Sequence, residues 1–204
     1  MVSLGLEHLA GASSIGIFGG TFDPIHTGHL ILAERAREEL GLDALLFMPA
    51  NIPPHKTTGR TIGSGEARLE MVQLGIAENP AFHLTDLELT REGVSYTVDS
   101  LRAIRESIPE ARLVVLIGSD NAREFTTWRQ PEEIVRIAEV AVWARPDNPF
   151  SSEILPGHTA RTIPAPLIEI SSTEIRRRVA EGRSIRYLTP EPVISYIRTH
   201  GLYL

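Results

Sequence analysis

The sequence predicts a doubly wound α/β domain, a mostly parallel sheet with helices on both faces. Three observations carry that prediction. Short apolar runs alternate with segments of helical period, and no internal repeat interrupts the alternation. The run LVVLIG at 113–118 is uniformly apolar, as a central parallel strand must be. The 204 residues suit one ordinary domain, placed over 15–204, with 1–14 as a loosely ordered N-terminal extension.

Each element follows from its own residues. Ile15–Phe18 is a buried strand that ends in Gly19-Gly20. Leu30, Leu32, Ala33, Ala36 and Leu40 then form a helical stripe, stopped by Gly41. ALLFMP (44–49) is the second strand, and EARLEMVQLGIAEN puts Leu69, Val72 and Ile76 on one helix face before Pro80. FHLTD (82–86) is a weaker strand. Val98, Leu101, Ile104 and Ile108 mark a helix halted by Pro109. After 113–118 come a helix at 131–138 and the strand VAVWAR (140–145). PDNPFSSEILPG (146–157) is loop by composition, and LIEI (167–170) is the expected last strand. Two helices close the chain. Ser171 and Glu174 have capping-box spacing with Gly182 beyond, while Thr189-Pro190 opens the final helix and Gly201 ends it.

Composition narrows the function. A net charge of −6 argues against a general nucleic-acid binder but leaves room for a local positive pocket. The absence of cysteine excludes disulfides, thiolate metal sites and cysteine nucleophiles, and makes a reducing cytoplasm the expectation. No apolar run approaches the ~20 residues of a membrane helix. The opening MVSLGLEHLAGASS does not have the pattern of a signal peptide. Lys56, in PPHK, is the single lysine among 20 lysines and arginines. Neither partner class, nucleic acid nor membrane, is expected; assembly into a homo-oligomer is left open.

The chemistry concentrates where strands give way to helices. The first strand runs through GGTFDP into His26-Thr27-Gly28-His29 at a helix start. Neither the G-x-G-x-x-G dinucleotide spacing nor a P-loop is present. A helix N-terminus favours an anion through its free N–H groups and partial positive charge, and an imidazole adds a directed donor. Gly28 permits close approach of a ligand to the backbone. The competing reading, a capping His26 and a core His29, would be preferred for one histidine but not for this pair. ISSTEIRRR (170–178) is a second helix start of the same kind. Ser172 and Thr173 sit in its first turn, and Arg176 lies one turn on, over the same point. Arg177 and Arg178 are read as solvated.

GGTFDPIHTGH together with ISSTEIR resembles the HxGH nucleotidyltransferase superfamily. More narrowly, PPHK, EARLEM, SYTVDSLRAIR, GSDN, TTWRQPEEI, ISSTEIRRRVAEGRSIRYL and YIRTHGLY, in that order over 15–203, resemble bacterial nicotinate-nucleotide adenylyltransferases. The resemblance implies a Rossmann-like nucleotidyltransferase fold. It also implies adenylyl transfer from ATP to nicotinate mononucleotide, giving deamido-NAD and pyrophosphate, with Mg²⁺ carried by ATP. A phosphomonoester with its second pKa near ~6 is already a dianion at neutral pH and needs no protein base. Positioning and charge stabilisation then suffice.

By the same resemblance, His26 and His29 hold the ATP phosphates, with His29 nearer the transition-state charge. Gly19, Gly20 and Thr21 line that pocket, and Lys56 reaches the phosphates of either substrate. Ser172, Thr173 and Arg176 grip the β- and γ-phosphates; Gly118 and Asp120 face the adenosine. Thr97, Trp128 and Arg129 take the acceptor, through ring stacking on the tryptophan and backbone N–H groups near the other two. Arg129 departs from the family pattern, so its side chain either attracts the carboxylate directly or faces water. Asp23 is expected to shape the turn rather than bind metal, and no protein metal ligand is expected. Acceptors such as nicotinamide mononucleotide or phosphopantetheine are the alternative, and a non-catalytic nucleotide-binding regulator is a further one.

Overall fold

In the computed structural model, which describes residues 6, 9, 11–51, 63–91, 93–144 and 151–204, the first apolar run forms strand β1 (Ser14–Gly20) inside the sheet. It pairs in parallel with β2 (Ala44–Pro49) on one side and with β4 (Arg112–Gly118) on the other. Beyond β2 lies β3 (Phe82–Leu84); beyond β4 lie β5 (Glu139–Ala144) and β8 (Arg161–Pro164). The strand order is therefore 3-2-1-4-5-8, with every pairing parallel. Winding reverses between β1 and β4, which is where ligands of such sheets bind, beyond the strand carboxyl ends. β6 (Glu153–Leu155) and β7 (His158–Thr159) form a separate antiparallel pair.

Alternation along the central strands sends their side chains to two cores. On one face Ile15, Ile17, Leu46, Leu113 and Val115 meet Val98, Leu101 and Ile104 of helix α3 (Thr97–Ser107) and Ile134 of α5 (Pro131–Ile137). On the other, Phe18, Leu45, Phe47, Val114 and Leu116 meet four helices: α1 (Thr27–Leu40), α2 (Gly65–Ile76), α6 (Ser172–Ala180) and α7 (Glu191–Thr199). The short α4 (Ser119–Arg123) follows β4 directly. Gly41, Gly182 and Gly201 all have positive φ just past helix ends, the backbone role their sequence positions imply. Among the described residues no helix is long and apolar enough to cross a membrane.

Three elements differ from expectation: Glu153–Leu155, inside the stretch 146–157 expected as loop, forms strand β6. The last strand is RTIP, not LIEI: residues 167–170 are irregular, and Leu167 is 65% exposed. Ile168 instead lies against the start of α1, where its Cγ2 would stand 3.2 Å from a Cβ placed on Gly28. At the N-terminal end, β1 begins one residue earlier than the expected boundary. The Asp43 carboxylate receives the N–H groups and hydroxyls of Ser13 and Ser14, and Leu6 and Leu9 are buried in the first core.

Candidate active site

The turn from Gly20 to His26 leaves β1 and enters α1, and distant side chains fix it. Arg68 Nη1 donates to the Thr21 carbonyl (2.9 Å) and Arg176 Nη1 to that of Asp23 (2.6 Å). The Ser172 hydroxyl donates to Pro24 (2.9 Å) and the Thr189 hydroxyl to Ile25 (2.7 Å). Four of the five carbonyls from Thr21 to Ile25 are thus satisfied by side chains of the protein. The starts of α1 and α6 are joined through this turn.

The two histidines form a stack, ring centroids 3.6 Å apart and planes 22° from parallel. The His26 backbone N–H donates to His29 Nδ1 at 3.2 Å. His29 Nδ1 is therefore an acceptor, and in the neutral ring the proton sits on Nε2. The edges of Phe22 and Phe18, centroids 5.1 and 5.9 Å away, confine the His29 ring. His26 is buried, and among the described residues its Nδ1 has no hydrogen-bond partner. Burial pushes the His26 pKa down to about 4. Burial first, and His26 second, hold His29 well below the ordinary histidine range. The free protein thus presents a neutral pair at neutral pH.

A cavity of about 360 Å³ opens at the carboxyl ends of β1 and β4, at the reversal point. It brings together Gly19, Gly20, Thr21, Gly118, Thr97, Trp128 and Arg129. Thr97 begins α3, whose N-terminus faces the space. Trp128 packs on Phe125, and the Arg129 guanidinium lies 4.6 Å from the Tyr96 ring centroid and 3.6 Å from Asp99.

His26, His29, Ser172, Thr173 and Arg176 do not line this cavity. Of these, Ser172 and Arg176 meet the turn at Pro24 and Asp23, and His29 meets Phe18, which lines the cavity. In α6, Ser171 caps by accepting from the Glu174 N–H at 3.2 Å, whereas the Glu174 carboxylate turns to Arg177 (2.8 Å) instead of completing the box. Thr173 Oγ1 receives Arg176 Nη2 at 3.3 Å. Asp120 is exposed and paired with Arg123 at 2.9 Å; its neighbour Asn121 faces the cavity. Lys56 lies outside the described residues. Among the described residues no group of three or more His, Asp or Glu side chains is placed to hold a metal ion.

Three participants are not singled out by the sequence, although Arg68 and Tyr203 fall within stretches that carry the family resemblance. Arg68, within EARLEM, is 2% exposed and also donates to the Ala50 carbonyl at 2.8 Å. Glu88 lines the cavity yet is buried, accepting from the Ser100 hydroxyl at 2.7 Å; burial raises its pKa against those hydrogen bonds. Tyr203 reaches Asp23 from the end of the chain, with its hydroxyl 2.7 Å from Oδ1.

A cytidylyltransferase-like family model matches residues 17–178. The chain is 47% identical to a Thermomicrobium roseum protein named probable nicotinate-nucleotide adenylyltransferase, over 94% of this chain and 92% of the relative. It is likewise 47% identical to a Thermus thermophilus protein of that name, over 93% and 98%. The chain belongs to the nicotinate-nucleotide adenylyltransferase family. Among solved structures, Plasmodium falciparum nicotinic acid mononucleotide adenylyltransferase complexed with NaAD shares the fold. Its TM-score is 0.76 at 22% identity, covering 94% of this chain and 97% of that one.

One glycine separates folding from binding in this nicotinate-nucleotide adenylyltransferase family member. Among the described residues a Cβ on Gly118 would meet nothing within 4 Å, and its φ of −78° suits any residue. Gly118→Ala should leave thermal stability within about 0.5 kcal/mol of the parent. The added methyl enters the cavity, so the KM for ATP should rise by about tenfold. Paired melting and kinetic measurements check this; an unchanged KM would place the nucleotide elsewhere.

Proposed function

We propose that this protein transfers the adenylyl group of ATP to nicotinate mononucleotide, forming deamido-NAD and pyrophosphate. An oxygen of the acceptor phosphate attacks the ATP α-phosphorus, a new P–O bond forms, and the bond to the bridging β-phosphate oxygen breaks. No proton need be removed first, because the acceptor is a dianion at neutral pH. The observation that carries this reading is the adjacency of a cavity floored by Gly19, Gly20 and Gly118 to a neutral, stacked histidine pair.

His29 Nε2–H supplies a fixed donor where charge accumulates, and His26 and the start of α1 support the phosphates. Arg176 and the first turn of α6 hold the β- and γ-phosphates, Lys56 reaching them from its own segment. Because the Ser172 hydroxyl proton goes to Pro24, this residue serves the site chiefly by fixing the turn. Thr97 and Trp128 receive the pyridine ring and its carboxylate. Gly118 takes the adenosine, with Asn121 a nearer partner than Asp120. Magnesium fits as a passenger of the triphosphate, since the cleft offers N–H groups and neutral imidazoles, which suit phosphate oxygens. The Asp23 carboxylate, 3% exposed and taken up by Tyr203, is not a ligand to it. A cytoplasmic setting belongs to the same proposal, since all its reactants are water-soluble phosphates.

Pyrophosphate release from ATP should be fastest with nicotinate mononucleotide and slower with nicotinamide mononucleotide or phosphopantetheine. Comparable turnover with all three would overturn the acceptor assignment. Arg129 bears on the preference for the acid. Its side chain is half exposed and shares Asp99 with Arg102, so its attraction for a carboxylate is modest. Arg129→Ala should raise the KM for nicotinate mononucleotide about threefold to fivefold, with kcat nearly constant and the amide acceptor unaffected. An equal change for acid and amide would show that its charge plays no part.

A further inference from the structure

Beneath the phosphate turn lies a buried carboxylate that adenylyl transfer does not use. Asp23 Oδ1 accepts from the Tyr203 hydroxyl at 2.7 Å and from the Gly63 N–H at 3.2 Å. Its Oδ2 stands 4.0 Å from Arg176 Nη1, the same nitrogen that donates to the Asp23 carbonyl at 2.6 Å. Arg176 is therefore poised between a neutral acceptor and a competing anion. A direct contact would need only a swing of the carboxylate, and in a buried place the attraction between the two charges is strong. The two donors on Oδ1 oppose that swing. Of them, the hydroxyl makes the shorter bond.

Tyr203 is well placed to act as a fixed post. Its ring is buried in the second core, and its oxygen also touches the Met71 sulfur at 3.8 Å. Its backbone has φ of +66°, so the chain end is held in an uncommon conformation to bring the hydroxyl in. The buried Arg68 guanidinium interacts electrostatically with both Asp23 and Tyr203. Burial, and then the neighbouring carboxylate, raise the tyrosine pKa above the usual phenol range, so the hydroxyl stays protonated as a donor.

We infer that Tyr203 is a positioning residue for the triphosphate site: its hydroxyl pins the Asp23 carboxylate away from Arg176 and leaves that guanidinium available to phosphate. The inference rests on the proposed role of Arg176. A plain packing role would make every additional loss in the network harmful. Restraint of a competing charge makes a different prediction, because neutralising Asp23 should then cancel the loss of the hydroxyl.

Direct binding of Mg-ATP and of nicotinate mononucleotide, each measured by calorimetry well below the melting temperature, provides the test. Tyr203→Phe should weaken ATP binding about tenfold and acceptor binding less than twofold. Adding Asp23→Asn to Tyr203→Phe should bring ATP affinity back to within about threefold of the parent, even though Arg68 then lacks its anion and the melting temperature falls. Unchanged ATP affinity in Tyr203→Phe, equal weakening of both ligands, or a deeper loss in the double variant would overturn the inference. If Tyr203→Phe does not fold, Asp23→Asn alone decides: it should bind ATP at least as tightly as the parent, and a tenfold loss refutes the idea. Arg176→Ala, run alongside, separates the two levels. If it leaves ATP affinity intact, the proposed role of Arg176 fails; if it weakens ATP but Tyr203→Phe does not, only the role of Tyr203 fails.

Discussion

His29→Ala should lower kcat by about 10²–10³-fold while weakening ATP binding by less than about tenfold. The asymmetry follows from how the ring is held. The His26 N–H occupies Nδ1, which fixes the Nε2–H tautomer, and the Phe22 and Phe18 edges fix the ring plane. A donor held this way needs no reorganisation when charge shifts toward the leaving pyrophosphate. Its contribution therefore grows from ground state to transition state. On the proposed site, ground-state affinity for ATP would be spread over the α1 and α6 starts, Arg176 and the glycine backbone, so the loss of one neutral donor should alter it little. Steady-state kinetics with both substrates, set beside calorimetric ATP binding, distinguish the outcomes. Equal losses in binding and turnover would mean that His29 only holds the substrate.

The histidine pair was legible in the sequence because its signals are local. Two histidines three residues apart at a helix start, next to glycines, express their geometry within one turn, and the structure keeps them together. The parallel sheet was legible for the same reason, since runs such as LVVLIG announce burial on both faces. LIEI misled because a short apolar run has no period that separates strand from irregular chain, and Leu167 stays in solvent. The edge strand RTIP was invisible because only Ile163 of its four residues is buried. Asp120 and Asn121 differ by one position on a single helical turn, a distinction that no pattern resolves. Arg68 looks like any surface arginine of an amphipathic helix. It is buried because two carbonyls, 47 and 18 residues away along the chain, are brought to it. Tyr203 depends likewise on a contact spanning 180 residues. Long-range polar contacts leave no periodic trace, and they make up the underside of this site.

The neutral histidine pair also sets how the protein responds to acid. Folded, His26 titrates near 4; unfolded, it titrates near the ordinary histidine value of 6.5. Between those values the unfolded chain binds more protons, so stability rises with pH through the window. The contribution is complete above about 6.5 and is lost as pH falls through 4. It amounts to about 3 kcal/mol for His26, and His29, depressed in the same direction, adds to it. His26→Gln removes one titrating ring while keeping a polar side chain. Melting temperatures from pH 7.5 to 4.5 should therefore fall more steeply for the parent than for this variant. ATP should flatten the parent's curve, because phosphate oxygens stabilise the protonated rings and raise their folded pKa values. In that pH range ATP binding must be accompanied by proton uptake, which calorimetry in buffers of different ionisation enthalpy detects. Parallel melting curves for parent and variant, with no proton uptake, would show that His26 titrates alike in the folded and unfolded chain and would refute the burial-driven shift.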